Sequence, residues 1–367
     1  NPPVFFCYYT TLSKKINAAC KDRQIMLKLA SVMHMKKNRV RGSLSLLLGT
    51  TIWGFGFIAQ SVGMDHIGPF TFQAVRCLLA VLFLIPCAFV LDIGKCSFRE
   101  SAAKWKNPTL WRVGLICGCA LFVASSLQQI GIVYTDAGKA GFITAMYIVL
   151  VPVLGLFLGK KPPRTTVFSV ALAVVGLYLL SCMGVSQINK GDLYLMGCAL
   201  AFSVQITCID RLAGNLDGLR MNCIQALVVM VLSVPFILLT KETVVFSDIT
   251  VCWFPLVFSG VLSMGVAYTL QIVGQQGLEP TTASLIMSLE SVFAALGGWL
   301  ILHQTMTAWE LLGCGLATNQ AGVFLHQSFG RFPVALLRLG DQFPVLLIAA
   351  AAASGAYAPW FLFRVWM

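Results

Sequence analysis

About ten apolar runs, each of about 20 residues, constrain the fold of this chain more than any other feature. They cover roughly residues 43–62, 70–91, 112–132, 139–158, 165–185, 191–210, 219–239, 251–273, 281–302 and 308–326. A helix of about 20 residues crosses the core of a bilayer, and its backbone polar groups bond internally. With 58% hydrophobic and 11% charged residues, we predict an all-α integral membrane protein with about ten transmembrane helices.

The basic residues alternate between connections in a way that predicts topology. Lys and Arg are concentrated before the first run, between the second and third, after the fourth, and after the sixth, where Arg211 and Arg220 stand. The other connections contain only Lys139, Lys190 and Lys241. By the positive-inside rule, the N-terminal side is cytoplasmic. The net charge of +12 is explained by this distribution, so we expect a lipid bilayer and no nucleic acid as a partner.

The two halves of the chain resemble each other in the same order. Leu127–Gly131 is similar to Leu270–Gly274, 143 residues later, and the same offset pairs Tyr147 with Glu290. A slightly larger offset pairs Pro86 with Pro235, and therefore Arg76 with Gln225. Since five helices are an odd number, the second unit starts on the opposite face of the membrane. Two inverted five-helix repeats predict a substrate site near the midplane and alternating access.

These repeats suggest four divisions of the chain. Residues 35–185 form the first five-helix repeat, and residues 186–326 form the second, inverted one. Residues 1–34 are expected to be a non-native or disordered extension, since Met35 makes a plausible natural start. Residues 327–367 are an atypical tail, in which the apolar stretch 343–363 leaves an extra helix open.

Two ionisable residues lie deep inside the apolar runs. Glu290 is near the middle of the run 281–302, and Arg76 lies about two turns inside the run 70–91. A charge at the centre of a bilayer costs about 3 kcal/mol or more, so such residues usually mark a substrate or proton pathway. Arg76 is expected to bind a carboxylate or phosphate, with snorkelling to the interface as the alternative. Glu290 is expected to be the proton-coupling residue, with a structural hydrogen bond as the alternative.

Polar and aromatic residues inside other runs complete the predicted substrate site. The amides offer both donors and acceptors to a polar solute, and the aromatic rings would form its walls. Bonds between helices and apolar packing are the alternatives. These candidates are Gln225, Gln128, Gln271, Gln205, Tyr147 and Trp53.

Three local motifs resemble one known family. They are Gly49–Phe57 at the first helix, Pro69 with Arg76 at the second, and Leu289–Gly298 in the ninth. Together they are similar to EamA-type members of the drug/metabolite transporter superfamily. The resemblance implies ten helices in two repeats and transport of small organic metabolites across the bacterial inner membrane. The chain departs from the family where Gly159-Lys160 and His303-Gln304 replace a common Gly-Glu.

We therefore expect a secondary-active transporter for an amino-acid-like or zwitterionic metabolite, with proton-coupled export favoured. Efflux of drugs or organic cations is the first alternative, and a channel or a membrane-embedded enzyme comes after it. The thirteen cysteines show no CxxC pair, and no GxxxxGK[ST] loop occurs. We expect no metal, no cofactor and no ATP hydrolysis within this chain. A second copy of the chain, forming a homodimer, is an open expectation.

Overall fold

The computed structural model describes residues 38–159, 167, 168, 170–172, 174, 175, 178, 189–301, 312–316 and 318. The helices are α1 (Asn38–Met64), α2 (Pro69–Asp92), α3 (Phe98–Lys104), α4 (Pro108–Ile132), α5 (Ala137–Ala145), α6 (Tyr147–Phe157), α7 (Lys190–Leu212), α8 (Gly218–Leu239), α9 (Phe246–Val251), α10 (Trp253–Val257), α11 (Tyr268–Gln275), α12 (Pro280–Met287) and α13 (Glu290–Ile301). A π-helical segment, Phe258–Ala267, joins α10 to α11.

Eight spans in the described part of the chain are long and apolar enough to cross a membrane. Five of them are the single helices α1, α2, α4, α7 and α8, and three combine shorter elements into Ala137–Phe157, Trp253–Gln275 and Pro280–Ile301. The prediction of an all-helical membrane protein is confirmed. The runs 165–185 and 308–326 lie largely outside the described residues, as do the extension 1–34 and the tail 327–367.

Helix starts follow the local sequence. Proline occupies the first helical position of α2, α4 and α12, where its missing N–H has no partner to lose. The Asn107 side chain accepts a hydrogen bond from the Thr109 N–H and caps α4. Asp217 accepts from the N–H groups of Leu219 and Arg220 and caps α8. These caps satisfy backbone N–H groups that the start of a helix leaves without an intrahelical partner.

Two of the spans break near their centres, at positions that the repeat relates. The first is interrupted at Met146, whose N–H donates to the Ile143 carbonyl at 3.2 Å. The second is interrupted at Leu289, whose N–H donates to the Ile286 carbonyl at 3.2 Å. Both tight turns bond residues three apart, and they stand 143 positions from each other, the offset of the repeat. The spans predicted at 139–158 and 281–302 are present, and each contains one tight turn that the sequence did not indicate.

The broken spans lie in the centre of the bundle, where small residues allow close contact. A Cβ at Gly54 in α1 would lie 2.2 Å from the Phe293 Cβ in α13. A Cβ at Gly141 in α5 would lie 3.2 Å from the Ala294 Cβ, also in α13. Glycine at these positions lets the backbones approach, as is common between membrane helices. The residues that follow the two breaks, Tyr147 and Glu290, thereby come close to each other.

Candidate functional site

One small cavity lies beside the two breaks. Six of the residues that sequence singled out line it, namely Trp53, Arg76, Gln128, Tyr147, Gln271 and Glu290. Its walls also include residues that sequence did not single out, among them Phe57, Gln60, Phe202, Ser263 and Tyr268. The interior open to water is about 30 Å³. That is far below the roughly 300 Å³ or more of an ordinary ligand pocket.

Arg76 lies inside this cavity rather than at the membrane surface. Its side chain comes from α2, and the residue is only 3% exposed. One guanidinium nitrogen, NH1, donates to the Gln60 Oε1 at 2.8 Å. The guanidinium also lies 5.9 Å from the centre of the Phe72 ring. Both neighbours are neutral, so the cation has no counter-charge in these contacts.

Glu290 is the first residue of α13 and faces the same cavity. It is 4% exposed, and its Oε1 has no hydrogen-bond partner among the described residues. The Tyr147 hydroxyl lies beside the carboxyl but does not form a hydrogen bond of standard geometry with it. Tyr147 is the first residue of α6, so the two side chains start at equivalent points of the two repeats. Arg76 and Glu290 form no ion pair with each other within the described part of the chain.

The other glutamines continue away from the cavity as a chain of amides. The Gln271 Nε2 donates to the Gln205 Oε1 at 3.2 Å, and the Gln205 Nε2 donates to the Gln225 Oε1 at 3.4 Å. Gln271 lines the cavity, whereas Gln205 and Gln225 are fully buried behind it. Of the predicted site residues, Gln205 and Gln225 therefore lie behind the cavity wall and do not line the cavity.

The π-helical segment shapes the cavity wall next to Arg76. A Cβ at Gly260 would lie 2.7 Å from the Arg76 carbonyl oxygen, so only glycine permits this approach to α2. The Asn222 Nδ2 donates to the carbonyls of Met264 and Gly265, at 2.8 Å and 3.0 Å. These bonds occupy carbonyls in the segment's widened turns. The segment then presents Ser263 to the cavity.

Several polar atoms that face this region lack hydrogen-bond partners among the described residues. They include two donors, the Trp53 Nε1 and the Arg76 Nε, and two acceptors, the Glu290 Oε1 and the Gln271 Oε1. The Tyr147 hydroxyl can act as either. A buried polar atom without a partner costs about 1–3 kcal/mol. Such a concentration of unused donors and acceptors is therefore expected where a polar ligand binds.

A second buried arginine lies at one end of the bundle. Arg220 NH2 is 2.7 Å from the Asp92 Oδ2, and Arg220 NH1 pairs with Asp217. Ser101 Oγ accepts from Arg220 and donates to Asp92. Lys104 lies 2.8 Å from the Asp92 Oδ1, and this hydrogen bond raises the pKa of its amine. Sequence treated Arg220 as a connection charge, but it is in the first turn of α8 and almost fully buried.

The opposite end of the same helix pair has a carboxylate held by neutral donors. Glu242, just after α8, accepts hydrogen bonds from the backbone N–H groups of Phe70 and Thr71 at 3.0 Å and 2.8 Å. The Thr71 hydroxyl donates a third bond at 2.7 Å. Glu242 thereby caps the first turn of α2. Helices α2 and α8 are thus tied at both ends.

Comparisons with known sequences agree with the helical repeat. A sequence profile of the EamA-like transporter family matches the chain twice, over residues 40–182 and 189–325. The chain belongs to the EamA-like transporter family. Its two matched segments explain why the broken spans recur at one offset. Among the described residues of this family member, no group of three or more His, Cys, Asp or Glu side chains is placed to hold a metal ion.

Two curated relatives of this EamA-family chain are themselves described as transporters. An "uncharacterized transporter" of Archaeoglobus fulgidus is 31% identical over 279 residues, which is 76% of this chain and 83% of the relative. The "uncharacterized transporter YoaV" of Bacillus subtilis (strain 168) is 25% identical over 296 residues, covering 76% and 97%. A solved protein structure of 17% identity matches 79% of this chain and 99% of its own with a TM-score of 0.61. That likeness concerns the fold alone.

Several cavity residues of this EamA-family member escaped sequence reasoning. Gln60 is the strongest omission, because it is a polar residue in the second half of the apolar helix α1, as Gln128 is in α4. Ser263 and Tyr268 belong to the span in which sequence showed only a uniform apolar helix. The polar residue inside an apolar run was the available signal for Gln60. No comparable signal marks the π-helical segment.

Proposed function

We propose that this chain is a secondary-active transporter that moves a small zwitterionic metabolite across the bacterial inner membrane. The observation that carries the proposal is that one cavity contains both an acidic and a basic side chain. Arg76 and Glu290 face it without forming an ion pair with each other. A ligand with a carboxylate and an ammonium group matches the guanidinium and the carboxyl. The unused donors and acceptors of Trp53 and Gln271 add directional contacts. Family membership supports transport rather than catalysis.

The size of the cavity supports alternating access. A cavity of about 30 Å³ is far smaller than an ordinary ligand pocket, so a metabolite needs the helices to separate before it enters. Ties at both ends of α2 and α8, at Arg220 and at Glu242, restrict that separation. We infer that the helices open towards one side at a time, as inverted repeats permit.

A ligand screen tests the substrate class. Purified protein is melted with a panel of amino acids, the amines that lack the carboxylate, and the acids that lack the ammonium. A ligand of the folded state raises the melting temperature by mass action. We expect zwitterions to stabilise the protein and both analogue classes to do so at least about tenfold more weakly, since each loses a charge-assisted contact. Equal stabilisation by the amines would contradict the role given to Arg76.

Proton coupling at Glu290 is the second part of the proposal. Removing a carboxylate from water disfavours its charged form, and no cation within the described residues pairs with Glu290. A proton and the ammonium group of the substrate would then compete for one carboxyl, which couples outward transport to proton entry. Export is the direction this arrangement favours in a cell that maintains an inward proton gradient.

The variant Glu290→Gln keeps the side chain's shape and removes its titration. In proteoliposomes it should still exchange labelled for unlabelled substrate, because exchange needs no net proton movement. Accumulation driven by a pH gradient should fall to the level without a gradient. Glu279→Gln, which makes the same change at an exposed carboxyl outside the cavity, serves as the control. Gradient-driven accumulation by Glu290→Gln at the wild-type level would assign the coupling elsewhere.

Transport of an organic cation is the second candidate, and the aromatic lining favours it. Trp53 and Tyr268 pack edge to face with ring centres 4.8 Å apart, and Phe57, Tyr147 and Phe202 complete the wall. Aromatic faces attract ammonium groups. A quaternary alkylammonium ion that stabilises the protein as strongly as the best zwitterion would favour this candidate.

The proposed orientation places the N-terminal side in the cytoplasm. Arg99, near the start of α3, would be cytoplasmic, and Lys241, after α8, would be external; both are exposed. Single cysteines at these two positions should react with a membrane-impermeant reagent from opposite sides of the membrane. Labelling of both from one side would contradict the inverted arrangement of residues 35–185 and 186–326.

A further inference from the structure

The cation in the cavity is held by an uncharged partner. Gln60 is 4% exposed, and its Oε1 accepts the 2.8 Å hydrogen bond from Arg76 NH1. A buried arginine usually has a carboxylate partner, because an ion pair offsets part of the cost of leaving water. Here the fixing oxygen carries only the partial charge of an amide. The contact therefore positions the guanidinium without neutralising it.

The orientation of the Gln60 amide is itself determined. Its Nε2 donates to the Gly56 carbonyl at 3.1 Å, one turn earlier in α1. With the NH2 group used in this way, the amide oxygen must face Arg76. In the reverse orientation the Gln60 NH2 group would face the Arg76 guanidinium, donor against donor, and the Gly56 carbonyl would lose its hydrogen bond. Gln60 is thus a fixed acceptor that joins α1 to α2 at the cavity.

We propose that Gln60 is the specificity-determining residue of the cavity, because its neutral amide fixes Arg76 while leaving the guanidinium charge for the carboxylate of a zwitterionic ligand. This inference rests on the proposed function. A glutamate at the same place would form a charge-assisted, two-point contact with the guanidinium. The chain's own carboxylate would then occupy the cation, and a ligand carboxylate would meet a neutralised site.

The test exchanges an amide for a carboxylate of nearly equal size. Purified Gln60→Glu is titrated with the best zwitterion of the ligand screen and with the amine that lacks its carboxylate. We expect affinity for the zwitterion to fall about 30-fold or more and affinity for the amine to be kept or raised, since only the first needs the free guanidinium. The ratio of the two affinities is the readout, because a general loss of structure lowers both.

A matched control makes the same change of charge at a residue that does not line the cavity. Gln275 is also a buried glutamine, 3% exposed, and its Nε2 donates to the Ile206 carbonyl. Gln275→Glu should leave the ratio of affinities as in the wild type. The neutral variant Gln60→Met removes the acceptor but adds no charge. It should lower zwitterion affinity about tenfold without favouring the amine. This variant therefore tests the proposal if Gln60→Glu does not fold.

The outcomes separate the two proposals. If the wild type binds zwitterions and Gln60→Glu or Gln60→Met keeps its affinity and its ratio, Gln60 is not the determinant and the proposed function stands. An equal change of ratio in Gln275→Glu would also overturn the role of Gln60. If the wild type binds no zwitterion in the panel but binds amines, the proposed substrate class fails first, and the role of Gln60 fails with it.

Discussion

Two buried arginines in the described part of this transporter have opposite kinds of partner. Arg220, at one end of the bundle, contacts the carboxylates of Asp92 and Asp217. Arg76, in the central cavity, contacts the neutral amide of Gln60. Both residues are almost fully removed from solvent, at 2% and 3% exposure. The difference lies in the counter-charge and not in the depth of burial.

This contrast separates a structural charge from one that is available to a ligand. A buried cation with two carboxylates is stabilised by partners that would be left uncompensated without it. A buried cation with a neutral partner keeps an unfavourable electrostatic energy that a bound anion would relieve. We therefore expect Arg220 to contribute to stability and Arg76 to ligand binding. Substitutions at the two arginines should separate these roles.

The largest expected effect is the loss of stability in Arg220→Met. Removing one partner of a buried ion pair costs up to about 3–5 kcal/mol. We expect the lower part of this range, because Asp92 keeps Lys104 and the Asp217 side chain is partly exposed. Thermal unfolding in detergent measures the change, and the ligand preference of any folded fraction should be unaltered. Arg211, an exposed arginine whose guanidinium donates to the Leu158 carbonyl, is the control. Arg211→Met should change stability by about 0.5 kcal/mol or less.

A second measurement sharpens this result. Adding Asp92→Asn to Arg220→Met should recover part of the lost stability, since it removes a carboxylate that has lost its buried cation and keeps only the half-exposed Lys104. A double variant that is less stable than the sum of the two single changes would show that the cluster does not act through charge compensation.

The next largest effect is the loss of carboxylate binding in Arg76→Lys. Lysine keeps the charge but loses the planar, two-point geometry of guanidinium. We expect affinity for the zwitterion to fall about tenfold or more, while stability changes by about 1 kcal/mol or less, because no carboxylate is orphaned. Titration with the zwitterion and thermal unfolding measure the two quantities. Wild-type affinity combined with a large loss of stability would reverse the assignment of the two arginines.

Sequence located much of this arrangement and missed its decisive contacts. A run of about 20 apolar residues is read directly as a span, so the boundaries of α2, α4 and α8 lie within a few residues of their predicted runs. Arg76 and Glu290 were found because a charge in such a run is expensive. The burial of Arg220 was missed because a cation at the start of an apolar run is equally consistent with an exposed helix end. Its partner Asp92 is 128 residues away, and no local pattern shows that contact.

The breaks and the π-helical segment also lay beyond a sequence reading. Hydrophobic periodicity reports which residues avoid water, but bonds between residues three, four or five apart leave it nearly unchanged. At Met146 and Leu289 the change is a single tight turn. In Phe258–Ala267, two carbonyls accept hydrogen bonds from Asn222, which comes from another helix. Local sequence does not show such a contact.

A smaller effect is expected when the amide chain behind the cavity is cut. Gln205→Leu removes the acceptor of Gln271 and the donor to Gln225, leaving two buried amides without those bonds. The two losses together cost about 1–3 kcal/mol of stability. Zwitterion affinity should fall about threefold to tenfold, because Gln271 is no longer oriented towards the cavity. Gln205→Asn retains an amide and should lose less than Gln205→Leu in both measurements; the reverse order would refute an orienting role.

The smallest expected effect concerns Glu242, which, like Arg76, is a charged side chain with only neutral hydrogen-bond partners. Glu242 accepts from two backbone N–H groups and one hydroxyl at the start of α2. Glu242→Gln keeps one acceptor oxygen and removes the negative charge that a helix N-terminus favours, which costs about 0.3–1 kcal/mol. Thr71→Val removes only the hydroxyl bond and is the matched control.

The hydrogen bonds of Glu242 join α2 and α8 at the end opposite Arg220. Glu242→Gln should therefore also speed substrate exchange in proteoliposomes more than Thr71→Val does. Equal exchange rates in the two variants and the wild type would limit Glu242 to capping α2.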